Sequence, residues 1–108
     1  MSSPVLAAPA RAEVWLARVD KLRPVVVLTR DPLGRVLDGV LVAPITSTVR
    51  GLATEVAIDA ASGLRRPSVV GCDALRRVGR ADLVRRVGVC DDATMRRICE
   101  AVRVAIDC

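Results

Sequence analysis

The side chains that could do chemistry in this chain are arginines, hydroxyl groups and scattered carboxylates, because the sequence contains no histidine. Without histidine, neither a Ser/His nor a Cys/His nucleophile pair can be built. The cysteines are not spaced to chelate zinc, so we expect no metal site and no cofactor. Arg50-Gly51-Leu52 is not a phosphate-binding P-loop. The neighbouring carboxylates Asp91 and Asp92 suit the start of a helix better than acid/base catalysis.

Arginine, hydroxyl and carboxylate groups are enough to cleave RNA, because RNA carries its own nucleophile, the 2′-hydroxyl. The protein must align that oxygen with the phosphate and stabilise the charge that develops there, which is work for positioning and electrostatics. Of the 17 basic residues, all except Lys21 are arginine, and the net charge is +5. Arginine pairs with phosphate in a planar, two-pronged geometry. A basic surface also suits anionic lipid or an acidic protein, and a bias towards arginine codons explains the arginines equally well.

The composition indicates one small β-rich domain. The 108 residues are 52% hydrophobic, with no Phe or Tyr and one Trp. Such a core, rich in β-branched residues, favours a sheet over a helical bundle. Alternation and turn signals predict strands at 13–19, 25–29, 39–46, 55–59, 68–73 (with 75–78 as an extension after a bend) and up to 89, after one helical turn at 81–84. Pro24 suits the first position of its strand, and Pro44 indicates a bulge or an edge.

One amphipathic helix is predicted at the end of the chain, with Asp91 as its N-cap. Its apolar face, at helical spacing, comprises Met95, Ile98, Cys99, Val102, Ala105 and Ile106. Many short strands followed by a helix predict a mainly β protein with a C-terminal helix, folded as a small, strongly curved barrel. The four cysteines are expected to be buried and inert, and Trp15 to lie in the core or at a dimer interface.

Several blocks of this sequence, in order, resemble the MazF/PemK-like family of toxins. The blocks are Glu13-Val14-Trp15-Leu16, Arg23-Pro24-Val25, Pro44-Ile45-Thr46-Ser47, the segment 50–56, Cys72-Asp73-Ala74-Leu75-Arg76 and Asp92-Ala93-Thr94-Met95. Together they span residues 12–108. One block alone would be weak, but the ordered series is specific.

The resemblance implies an SH3-like barrel of the CcdB/PemK type that forms a two-fold homodimer. It implies a type II toxin, a metal-independent endoribonuclease that cuts single-stranded RNA to a cyclic phosphate and a 5′-hydroxyl. A cognate antitoxin with an acidic, flexible tail would be its inhibitor. The family's catalytic residues carry over to Arg23, for phosphorane stabilisation and proton donation, and to Thr46, for holding the phosphate or the nucleophile. Supporting or RNA-binding roles fall to Ser47, Thr48, Arg50 and Asp73.

The sequence departs from the family pattern in two places. The long loop that usually precedes Arg-Pro is replaced by Asp20-Lys21-Leu22, which removes that loop's acidic residue and its RNA contacts and leaves the general base open. Gly71 stands where one branch of the family has an arginine. Two other functions therefore stay open, namely a gyrase poison with the same fold and a catalytically silent RNA- or protein-binding barrel.

The first eleven residues are interpreted as a flexible lead-in, and residues 12–108 as the toxin domain. The segment 1–10 lacks a basic start and contains Pro4 and Pro9, so it does not resemble a signal peptide. No apolar run approaches the length of a membrane span. We expect a cytoplasmic protein with reduced cysteines and no contact with a membrane.

Overall fold

The computed structural model describes residues 9–31, 38–59 and 62–107. These residues form a curved antiparallel sheet and one α-helix. The strands are β1 (Glu13–Arg18), β2 (Leu22–Val27), β3 (Gly39–Thr46), β4 (Glu55–Ile58), β5 (Ser68–Gly71), β6 (Arg76–Gly79) and β7 (Leu83–Val89), and the helix is α1 (Asp92–Ile106). A short 3₁₀ helix, Arg80–Asp82, joins β6 to β7.

The strands follow the order β4-β5-β3-β2-β1-β7, and β6 pairs with β3 beside this path. β1 therefore lies between β2 and β7, and its register with β7 shifts at two places. Such shifts, or bulges, increase the local twist of a sheet. The fold is the mainly β, small-barrel architecture with a C-terminal helix that the sequence predicted.

The central strand β3 changes partner along its length. Gly39 to Val42 pair with β6, whereas Ile45 and Thr46 pair with β5. Pro44 lies between the two ladders, where its missing N–H removes no hydrogen bond to either β6 or β5. The ladder of β3 with β2 runs through Pro44 without a shift of register, so Pro44 marks a change of strand partner and not the bulge or sheet edge that the sequence indicated. Pro24 is the third residue of β2, not the first, but it precedes the ladder with β3, which begins at Val25.

The buried side chains form two clusters on opposite faces of the sheet. One contains Val14, Val26, Val70 and the helix residue Ile98, and the other contains Trp15, Val25, Val42 and Leu83. Alternation along β1 sends Val14 to the first cluster and Trp15 to the second. Trp15 is thus a core residue, and its Nε1 donates to Glu13 Oε1 at 3.1 Å.

Asp91 is the N-cap of α1, as predicted. Its side chain accepts a hydrogen bond from the backbone N–H of Thr94 at 2.8 Å. The Thr94 side chain, and after it this backbone bond, lower the pKa of the Asp91 carboxyl. The predicted apolar face is correct for Met95 and Ile98, which are buried. It is wrong for Cys99 and Ile106, which are exposed, because the helix turns Thr94 and Ala101 towards the sheet instead.

Other predictions at the ends of elements differ by a few residues. The segment 75–78 belongs to the separate strand β6, because its backbone pairs with β3 and not with β5. The helical turn lies at Arg80–Asp82 instead of 81–84. Cys72 and Cys90 are buried as expected, whereas Cys99 is exposed and Cys108 lies outside the described residues.

The described part of the predicted lead-in touches the rest of the protein. Pro9 is buried, and the Arg11 side chain donates to the carbonyl oxygen of Leu28 and to Cys99 Sγ. Residues 1–8 lie outside the described residues. So do residues 32–34 of the segment Asp31-Pro32-Leu33-Gly34, whose Pro and Gly predict a turn. In the part of the chain that the structure describes, no helix is long and apolar enough to cross a membrane.

Candidate active site

Arg23 and Thr46 are brought together by the pairing of β2 with β3. Val25 is the partner of Pro44 in this antiparallel ladder. Continuing the register by two residues places Arg23 opposite Thr46, and the two-residue period keeps both on one face. Both residues line the same two open hollows, one on each side of the pair. The two positions assigned as catalytic from the sequence are therefore neighbours.

Arg23 makes a two-pronged ion pair with Asp20, from the turn between β1 and β2. Arg23 Nε lies 2.8 Å from Asp20 Oδ1, and Nη2 lies 3.1 Å from Oδ2. The guanidinium holds the pKa of the Asp20 carboxyl well below its usual range, and the carboxylate in turn raises the pKa of Arg23. The Arg23 side chain is 34% exposed, so it remains within reach of a ligand.

The Thr46 hydroxyl has a fixed orientation. Its Oγ1 accepts a hydrogen bond from the backbone N–H of Thr48 at 3.1 Å. Because the oxygen is used as an acceptor, its own hydrogen remains to be donated. Ser47 lines the first hollow beside Thr46. Thr48 contributes to the site through its backbone.

Arg50 and Asp73 lie together at the second hollow, around a carboxylate that the sequence analysis did not single out. Glu55 accepts hydrogen bonds from the backbone N–H groups of Arg50 and Leu52 at 3.0–3.2 Å, and its side chain is only 4% exposed. These bonds, that of Leu52 foremost, lower the pKa of Glu55. Arg50 Nη2 lies 3.7 Å from Asp73 Oδ2. Glu55 thus fixes the loop that carries Arg50.

The two hollows differ in charge. Among the described residues, the first, of about 310 Å³, is lined by four basic side chains (Lys21, Arg23, Arg65 and Arg66) and by no carboxylate. The second, of about 250 Å³, is lined by the carboxylates of Asp20, Glu55 and Asp73 and by the guanidinium groups of three arginines. The first hollow therefore suits a phosphate backbone, and the second offers both hydrogen-bond acceptors and donors.

Sequence reasoning missed Asp20, Glu55 and the selection of Arg65 and Arg66 among the many arginines. Asp20, three residues before Arg23 in a tight turn, could have been noticed from spacing alone. Glu55 lies close in sequence to Arg50 and Leu52, whose backbone N–H groups it binds, so spacing could have indicated it as well. The place of Arg65 and Arg66 at the first hollow depends on tertiary structure, which no local pattern reveals. Within residues 9–31, 38–59 and 62–107, no three His, Cys, Asp or Glu side chains gather into a group that could hold a metal ion.

Comparisons with known proteins agree on one family. The family model for the PemK-like, MazF-like toxin of type II toxin–antitoxin systems matches residues 10–106. Endoribonuclease MazF3 of Mycobacterium tuberculosis is 46% identical over 94 residues, which cover 87% of this chain and 91% of that protein.

Two solved structures have the same fold. The Mycobacterium tuberculosis toxin MazF-mt6 has a TM-score of 0.85 and 45% identity, with 88% of this chain and 96% of that one covered. A mycobacterial endoribonuclease in complex with its cognate antitoxin has a TM-score of 0.84 and 25% identity, covering 93% and 96%. The chain therefore belongs to the family of PemK-like, MazF-like toxins of type II toxin–antitoxin systems.

Proposed function

We propose that this chain cleaves single-stranded RNA at Arg23 and Thr46, with the 2′-hydroxyl of the RNA as nucleophile. Its relatives in the family are endoribonucleases, and the chain is an endoribonuclease toxin. The observation that supports the site assignment is that both residues line both hollows. The charged residues of the first hollow, called the basic hollow below, are all basic. The second, called the mixed hollow, has both carboxylates and arginines.

In the proposed reaction, the 2′-hydroxyl gives its proton to solvent water and its oxygen bonds to phosphorus, while the bond from phosphorus to the 5′-oxygen breaks and that oxygen takes a proton from solvent. The products are a cyclic phosphate and a 5′-hydroxyl. Arg23 stabilises the additional negative charge on the phosphorane, as an oxyanion hole does. A guanidinium holds its protons tightly over the ordinary pH range and is a weak proton donor, so charge stabilisation is the main role of Arg23. Thr46 donates its hydroxyl hydrogen to a phosphate oxygen.

The other site residues support substrate binding. Ser47 adds a hydroxyl in the basic hollow, and Thr48 orients Thr46. Arg50, held by Glu55, supplies a second cation next to the scissile phosphate. Asp73 makes a long ion pair with Arg50, its only ion pair to the described residues, and so its carboxylate is available to the RNA.

The partners in this proposal are single-stranded RNA, a second copy of the chain and an antitoxin. The net charge of +5 suits an antitoxin with an acidic tail. The two-fold homodimer rests on the family resemblance, and a cytoplasmic location follows from the RNA substrate. A related fold that poisons gyrase receives no support from the relatives, which are named endoribonucleases.

A cleavage assay tests the proposed chemistry directly. A mixed-sequence RNA should be cut at defined sites with EDTA present, and the downstream fragment should accept a label on a free 5′-hydroxyl. The same sequence made with 2′-O-methyl groups should stay intact, because it lacks the nucleophile. Cuts in the 2′-O-methyl RNA, or 5′-phosphate ends, would contradict the mechanism, and the absence of any cut would contradict the function.

The basic hollow predicts a specific salt dependence of RNA binding. Arg65→Ala and Arg66→Ala should each lower the slope of log K against log[salt] by about 0.7, as one lost phosphate contact does for single strands. Binding of 2′-O-methyl RNA, measured between low and physiological salt, provides the slope. Arg85→Ala is the matched control, because Arg85 is also exposed but lies on β7, away from the hollow. Equal slopes for all three variants would remove Arg65 and Arg66 from the RNA path.

A further inference from the structure

The turn between β1 and β2 contains Asp20, whose carboxylate is held in place by hydrogen bonds. Asp20 Oδ1 accepts the backbone N–H of Lys21 at 3.0 Å in addition to Arg23 Nε. The turn is also closed by a backbone bond from Val19 N–H to the Lys21 carbonyl, which does not involve the carboxylate. The Asp20 side chain is 57% exposed, and exposed single ion pairs contribute little to stability. Stabilisation of the fold is therefore a poor explanation for this contact.

The geometry of the pair leaves part of Arg23 available. A guanidinium has five N–H donors in one plane, and Asp20 takes one on Nε and one on Nη2. The other three, on Nη1 and Nη2, have no partner among the described residues. Since the group is planar and rigid, a carboxylate on one edge fixes the direction of the opposite edge. That edge can grip a phosphate with two parallel N–H bonds.

We propose that Asp20 is a positioning residue, which holds the Arg23 guanidinium in the orientation that the phosphorane requires. This inference rests on the proposed function of Arg23. The negative charge of Asp20 opposes binding of RNA in the ground state, while the orientation it imposes acts in the transition state. Loss of the orientation should therefore lower kcat, whereas loss of the negative charge should leave KM unchanged or lower it.

Asp20→Asn tests this inference, because asparagine keeps the size and one acceptor oxygen but removes the charge and the second prong. We expect kcat for RNA cleavage to fall about 10–100-fold, the range expected for a misplaced group, while KM is unchanged or lower. Asp20→Glu keeps a two-pronged carboxylate and should recover part of kcat. A purely structural role would not produce this split.

Glu100→Gln is the matched control, because Glu100 and Arg103 form a pair with the same three-residue separation on α1. It removes the same charge far from Arg23, and kcat and KM should match those of the wild type. The Nε–H signal of Arg23 in ¹⁵N NMR spectra should move in Asp20→Asn and stay in place in Glu100→Gln. That signal reports the pairing without requiring activity.

The possible results distinguish a failure of the positioning role of Asp20 from a failure of the proposed RNA cleavage. An active wild type with an unchanged kcat in Asp20→Asn would overturn the positioning role alone. A higher kcat/KM with unchanged kcat in that variant would mean that Asp20 only competes with RNA for Arg23, which also overturns it. A folded wild type that cuts no RNA would overturn the proposed function together with the inference.

Discussion

Arg23→Ala is expected to lower kcat for RNA cleavage about 10³-fold, the upper end of the loss seen when one transition-state donor is removed. The physical reason is that Arg23 lines both hollows and lies opposite Thr46 when the register of β2 with β3 is continued beyond Val25. Single-turnover cleavage with enzyme in excess measures the chemical step. Arg23→Lys should recover little, because an ammonium is a point charge without the planar fork.

The interpretation of the lower kcat of Arg23→Ala depends on Asp20, the carboxylate that pairs with Arg23 in the wild type. In Arg23→Ala, Asp20 loses its partner and faces the phosphate as an unpaired negative charge. The double variant Asp20→Asn/Arg23→Ala removes this repulsion, and the double-mutant cycle gives the coupling between the two residues. A double variant as slow as Arg23→Ala assigns the loss to the missing cation. A kcat of Arg23→Ala within about threefold of the wild type would mean that Arg23 is not catalytic.

Ile98→Ala should lower the free energy of unfolding by about 2–5 kcal/mol, as expected for a large buried aliphatic side chain. Ile98 is fully buried where α1 packs on the sheet, among the valines of the first cluster. Denaturant unfolding at a fixed protomer concentration measures the change, since dimerisation would couple stability to concentration. Ile106→Ala, on the same helix but 56% exposed, should change the free energy by less than about 0.5 kcal/mol. Equal losses in both variants would show that α1 does not pack as described.

Much of the fold could be predicted because the chemistry is local. Short runs of apolar, β-branched residues bounded by turn signals predict the strands, and Asp91 predicts the start of α1. The prediction fails where a tertiary contact decides the outcome. Cys99 lies at helical spacing from buried residues but faces Arg11 instead of the sheet, so spacing alone assigned it to the core.

Part of the candidate site could be proposed from the sequence, because short motifs of this chain resemble those of the family. Arg23 and Thr46 came from ordered motifs, and the register of β2 with β3 explains how residues so far apart in sequence meet. Glu55 binds the backbone of Arg50 and Leu52, and Asp20 binds Arg23, through contacts that are short in sequence. They leave no period in the sequence, because periodicity reports which face of a strand or helix is apolar and not which polar groups pair in a loop or turn.

During translation, the two strands that flank β1 in the sheet do not become available at the same time. β1 lies between β2, which is synthesised directly after it, and β7, which is synthesised almost last. Arg23 and Thr46 can meet on β2 and β3 before the second half of the chain exists. The second core cluster, however, stays open until Leu83 arrives to cover Trp15 and Ala17. A chain that ends before β7 would therefore carry the proposed catalytic residues, Arg23 and Thr46, above a core that is not closed.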